Sequence, residues 1–125
     1  MIDRIDHLVL TTAHETASIR FYVEVLGMRL EIFGDQRKAF VFGAQKINLH
    51  IAGKEFEPKA QHPTLGALDV CLIASQPLET IIAHLAQHGI AIECGPVMRT
   101  GAQGPIRSIY VRDPDLNLIE ISAYV

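Results

Sequence analysis

The stretch HLVLTTAHETASIRFYVEVLG, residues 7–27, decides the fold, because its grammar returns in DVCLIASQPLETIIAHLAQHG, residues 69–89. Each copy opens on a short run of strong β-formers and then changes to helical spacing. In the first, Ile19, Tyr22, Val23 and Leu26 form one apolar stripe, and Gly27 supplies the left-handed stop. In the second, Leu78, Ile81, Ile82 and Leu85 form the stripe and Gly89 ends it. At one fixed offset Leu10 matches Leu72, Ile19 matches Ile81 and Val23 matches Leu85. An internal duplication follows.

The helix starts are also written in the chain. Thr12-Ala-His-Glu15 has capping-box spacing, which makes Thr12 the expected N-cap. Ser75-Gln-Pro77 places a proline in the first turn of the second helix. Strands are expected after the first helix at residues 29–33, 39–42 and 46–51. After the second they are expected at 91–94, 106–112 and 118–123. Each half therefore reads β-α-β-β-β. The reading is one domain of two modules, about 5–52 and 67–125, joined by a Pro-, Gly- and charge-rich linker at 53–66. Residues 95–105, GPVMRTGAQGP, read as a glycine-rich loop without a first-half counterpart, and either a lid over a cavity mouth or an inert hairpin loop is expected there.

Composition narrows the function. At 125 residues the chain is long enough for one core. Its 49% hydrophobic and 20% charged content is that of a globular protein. A net charge of −3 gives no basic field for nucleic acid. No apolar run is long enough to span a membrane, and the charged start MIDRIDHLVL does not read as a signal peptide. Two cysteines make no disulfide framework, so a reduced, cytoplasmic setting is expected.

Alternation within the strands points to a site. Residues two apart share a face. His7, Val9 and Thr11 then oppose Leu8 and Leu10; Asn48 and His50 oppose Ile47 and Leu49. Asp69 and Cys71 oppose Val70 and Leu72; Glu120 and Ser122 oppose Ile119 and Ile121. A carboxylate among aliphatics must be solvated, paired, neutralised or bound to a cation. A cation shared by His7, Asp69 and Glu120 explains Glu120, while a histidine paired with a carboxylate would use the same spacing. His84 and His88 sit at helical zinc spacing but read as a solvated helix face. Cys71 reads as a small buried thiol.

In order along the chain, HLVLTT, FYVEVLGM, GAQKINLH and RDPDLNLIEIS resemble the vicinal oxygen chelate superfamily. This superfamily holds glyoxalase I, fosfomycin-resistance proteins, bleomycin-binding proteins and extradiol dioxygenases. RKAFVFGAQKINLH, KEFEPKAQHPTLG and GPVMRTGAQGPI look most like its glyoxalase domain-containing protein 5 group. The resemblance implies an α+β fold in which two βαβββ modules form a curled mixed sheet around a central cavity. It implies one divalent metal ion per site (Zn, Ni, Mn or Fe), with His7, Asp69 and Glu120 as ligands. Asn48 or His50 stands on the first module's last strand as a further ligand or a substrate contact, and Arg99 is expected to bind substrate. Asp69 departs from the histidine common there, and Leu116 replaces the usual glycine of DPDGN. The implied activity is a metal-dependent lyase or isomerase acting on a small oxygen-rich substrate, with Glu120 moving a proton. A fosfomycin-type transferase, a dioxygenase and a metal-free drug-binding protein are the alternatives. A homodimer is expected.

Overall fold

The computed structural model describes residues 1–125. They divide into two compact units, Met1–Leu65 and Gly66–Val125. In the first, β1 (His7–Thr12) leads into α1 (Glu15–Ile19), which runs on as a widened π-helical segment (Arg20–Val25). β2 (Arg29–Phe33), β3 (Arg37–Phe42) and β4 (Gln45–Ile51) follow. The sheet order is β1-β4-β3-β2, with β1 and β4 parallel and the other pairs antiparallel.

The second unit repeats the plan with β5 (Asp69–Ile73), α2 (Leu78–Gln87), β6 (Cys94–Gly101), β7 (Gly104–Arg112) and β8 (Leu118–Tyr124). Its order is β5-β8-β7-β6, again with one parallel pair, β5 and β8. The fold class is α+β with two four-stranded mixed sheets, as the repeat and the resemblance implied.

The apolar stripes explain why each helix lies on its sheet. Tyr22 is fully buried and stacks on Phe40, ring centroids 4.9 Å apart, while Leu10 and Ile47 fill the same core. In the second unit Leu85, Ile109, Val111 and Ile119 are completely buried. Each such side chain contributes about 1.5–3 kcal/mol through removal from water. Gly27 and Gly89 end the two helical segments at φ +76° and +69°, a conformation a Cβ disfavours. Beyond Gly89 the Ile90 N–H returns to the Leu85 carbonyl at 2.9 Å.

Three local expectations change. Thr12 does not cap the helix. It is still in the β1 ladder opposite Ile51, so helix α1 begins at Glu15 and His14 holds the N-cap position without a side-chain bond. The Thr12 hydroxyl instead lies 2.8 Å from Ser18 Oγ and accepts the His14 N–H at 3.0 Å. The strand expected at 91–94 starts only at Cys94, and the expected loop at 95–105 is mostly strand. Residues from Val97 to Gly101 pair with β7 as far as a tight turn at Ala102-Gln103, after a register shift between Cys94 and Val97. The segment is thus a ladder-bonded hairpin, the enlarged counterpart of β2–β3.

Candidate functional site

DPDLN, residues 113–117, sets the position of β8. Asp113 is 3% exposed, and its Oδ1 accepts the backbone N–H groups of Asp115 and Asn117, both at 2.9 Å. Its Oδ2 accepts Asn117 Nδ2 at 2.8 Å, while Asn117 Oδ1 accepts the Leu68 N–H at 2.8 Å, tying the turn to the start of β5. Leu116 occupies the left-handed region at φ +69°. The turn forms without its glycine, and β8 enters the sheet in a fixed register.

That register puts Glu120 between Cys71 on β5 and Tyr110 on β7. Ser122, the next residue on this face, is completely buried. Its Oγ lies 2.6 Å from Ser108 Oγ and 3.3 Å from Cys71 Sγ, and donates a long 3.5 Å bond to Glu120 Oε1. Glu120 itself is half-buried and has no ion-pair partner among the eight salt bridges of the chain. It opens into a cavity of about 390 Å³, whose walls include Cys71, Arg99, Ile106, Tyr110 and Tyr124.

The electrostatics of this wall are mixed. Arg99 Nε donates to the Tyr110 hydroxyl at 3.0 Å. Desolvation raises the Tyr110 pKa and the Glu120 carboxylate adds to it, outweighing the opposing pull of Arg99, so the phenol keeps its proton. Cys71 is exposed toward the cavity, contrary to the expected buried thiol. Partial desolvation pushes its thiol up, Ser122 opposes this, and Glu120 and Asp69 raise it further. A protonated thiol is a poor nucleophile.

The other expected residues lie as follows. Asp69 is exposed at the start of β5. His7 is exposed on β1, its Nδ1 2.8 Å from Asp6 Oδ2, and this bond holds the Asp6 carboxyl below the usual range. Asn48 and His50 are buried on β4, at 6% and 3% exposure. Asn48 Oδ1 and His50 Nε2 have no hydrogen-bond partner. Phe56 meets His50 edge-on, and the Arg37 guanidinium lies 4.6 Å over the Phe56 ring. Burial chiefly, helped by Arg37, depresses the His50 pKa. His7 belongs to the first unit, Asp69 and Glu120 to the second, and no three His, Cys, Asp or Glu side chains gather as a cage for a metal ion. His84 and His88 have ring centroids 4.3 Å apart, with His88 Nδ1 3.0 Å from the His84 carbonyl oxygen, a local helix contact.

Residues 4–121 match the model of the Glyoxalase/Bleomycin resistance protein/Dioxygenase superfamily. The chain belongs to that superfamily. Among the superfamily's relatives, virulence protein STM3117 of Salmonella typhimurium is 58% identical, covering 100% of this chain and 87% of the relative. Glyoxalase domain-containing protein RDO1 of Mycosarcoma maydis is 54% identical over 96% of this chain and 68% of its own length. A crystal structure of the Salmonella virulence protein superimposes with a TM-score of 0.98, covering 100% of this chain and 99% of that one. No helix of this superfamily member is long and apolar enough to cross a membrane.

Tyr110, Tyr124 and Ser108 escaped the sequence reading. Alternation along IRSIYVR places Ser108 and Tyr110 on one strand face, which was the available signal.

Proposed function

We propose that this chain is a homodimeric, cytoplasmic lyase or isomerase of glyoxalase type, which moves a proton on a small oxygen-rich substrate. The observation that carries this reading is Glu120: a half-buried carboxylate, free of any ion pair, facing a cavity large enough for a small molecule. Glu120 takes a proton from a carbon beside a carbonyl. Ser122 steadies one carboxylate oxygen, and the protonated Tyr110 lies across the ladder from it.

A divalent ion, when bound, supplies Lewis-acid polarisation of the substrate oxygen. His7, Asp69 and Glu120 would hold it, all being accessible N or O donors. In the proposed homodimer, donors from two copies complete the set.

The test is deuterium uptake from solvent into 2-hydroxy ketones and 2-oxo aldehydes, with metal content and sedimentation measured on untagged protein. Wild type should be a metal-containing dimer that exchanges the carbon-bound proton. Glu120→Gln should slow exchange by about 10²–10⁴-fold, the usual worth of a general base. Equal exchange by the variant would sink the assignment. A second reading, a metal-free small-molecule binding protein, is favoured by the apolar side chains of Ile73, Ile106 and Tyr124 that line the same cavity. That reading expects ligand binding without metal, and no exchange by either protein.

A further inference from the structure

Five of the seven arginines pair with a carboxylate: Arg4, Arg20, Arg29, Arg107 and Arg112. Arg99 does not, yet it is pinned. Its Nε–H goes to the Tyr110 hydroxyl at 3.0 Å and an Nη1–H to the Met98 carbonyl at 3.2 Å; its Cζ lies 5.6 Å from the Tyr110 ring centroid. The Nη2 protons remain without a protein acceptor among these bonds, at the wall of the 390 Å³ cavity. Holding a long cationic side chain in place without a salt-bridge partner costs rotamer entropy. A preorganised guanidinium is also what planar recognition of a carboxylate requires.

Part of the wall is apolar. Ile73 and Tyr124 stay 52% and 42% exposed there, and the buried Ile106 also lines it. Tyr124 is held by its hydroxyl, which accepts the Gln103 N–H at 3.2 Å. A ligand that satisfies both sides carries one anionic head and an apolar body. Repulsion from Glu120 keeps the head at the Arg99 end.

We propose that the cavity of the second unit binds a small monocarboxylic acid, with its carboxylate on Arg99, its apolar body against Ile73 and Tyr124, and the adjacent carbon turned toward Glu120. This deepens the proposed function and rests on that reading for the role of Glu120 alone. Tyr110 is then a positioning residue that fixes the Arg99 guanidinium.

Titration calorimetry with mandelate and with its neutral amide tests this. Wild type should bind mandelate at least tenfold more tightly than the amide. Arg99→Met should abolish that preference while leaving the amide unchanged. Tyr110→Phe should weaken mandelate severalfold, because the guanidinium loses its anchor. Glu120→Gln should tighten mandelate severalfold through removal of a neighbouring negative charge. Failure of wild type to bind mandelate at millimolar concentration, equal binding of acid and amide, or an undiminished preference in Arg99→Met overturns the proposal. An acid preference that persists while Glu120→Gln exchanges protons normally removes only the catalytic reading.

Discussion

Each unit builds the same kind of parallel ladder, and the two treat matching positions on it oppositely. Across from Val9 stands Asn48; across from Cys71, at the matching place, stands Glu120. Across from Thr11 stands His50, and across from Ile73 stands Ser122. In the first unit the amide and imidazole are buried, with Phe56 packed against His50. In the second the carboxylate faces an open cavity. An amide or neutral imidazole tolerates burial at modest cost, whereas a carboxylate without a partner does not. One duplicated frame thus carries a sealed polar pair on one side and a solvent-accessible acid on the other. The charge at one ladder position separates the two.

The largest expected effect lies in how the open unit is held. Asp113 satisfies three donors in the β7–β8 turn. Asp113→Ala should cost about 3 kcal/mol, because buried N–H groups lose a charged acceptor. Hydrogen exchange should then accelerate in β7 and β8 but not in β3 and β4. Equal acceleration in both units would break the contrast between them.

A smaller effect should come from the sealed side. Burial and Arg37 lower the pKa of His50 in the fold, so the unfolded chain takes up its proton first as the pH falls. The stability His50 contributes is complete above about pH 6.5 and is lost as pH drops through its lowered value. His50→Gln should therefore lose less melting temperature between pH 7 and pH 5 than wild type. Parallel melting curves would show that the pair is not sealed.

Smallest of all is Leu116→Gly. A leucine at φ +69° is strained, and at 67% exposure it gives up little burial. Relief of about 1–2 kcal/mol is offset by the greater freedom of glycine in the unfolded chain. The net gain should be at most about 1 kcal/mol in chemical denaturation. A loss would mean that the Leu116 side chain holds the turn.

Much of this was legible in the residues. The repeat exposed both modules, because apolar spacing at fixed offset reports which face each element buries. Alternation exposed Glu120, since a lone carboxylate breaks a β-pattern visibly. Strand β6 was not legible. GPVMRTG carries the glycine and proline that usually mark loops. Here Gly95 serves close backbone approach instead: a Cβ would stand 2.4 Å from the Ser108 carbonyl oxygen. The pinned Arg99–Tyr110 pair also depends on that hairpin. Without the register of β6 on β7, no reading of the chain could bring those two side chains together. The cap at Thr12 failed for a related reason: its ladder partner, Ile51, lies far along the sequence.

The parallel pairing of β5 with β8 bears on how the protein is made. β8 is not an edge: it stands between β5 and β7 and joins them. Until residues 118–124 leave the ribosome, β5 and the β6–β7 hairpin have nothing to connect them. Their edges, rows of unpaired backbone N–H and C=O groups, wait exposed during that interval. Such distant closure is entropically costly and slows folding. A nascent second unit is therefore most open to chaperone capture or to misjoined strands just before its last strand emerges.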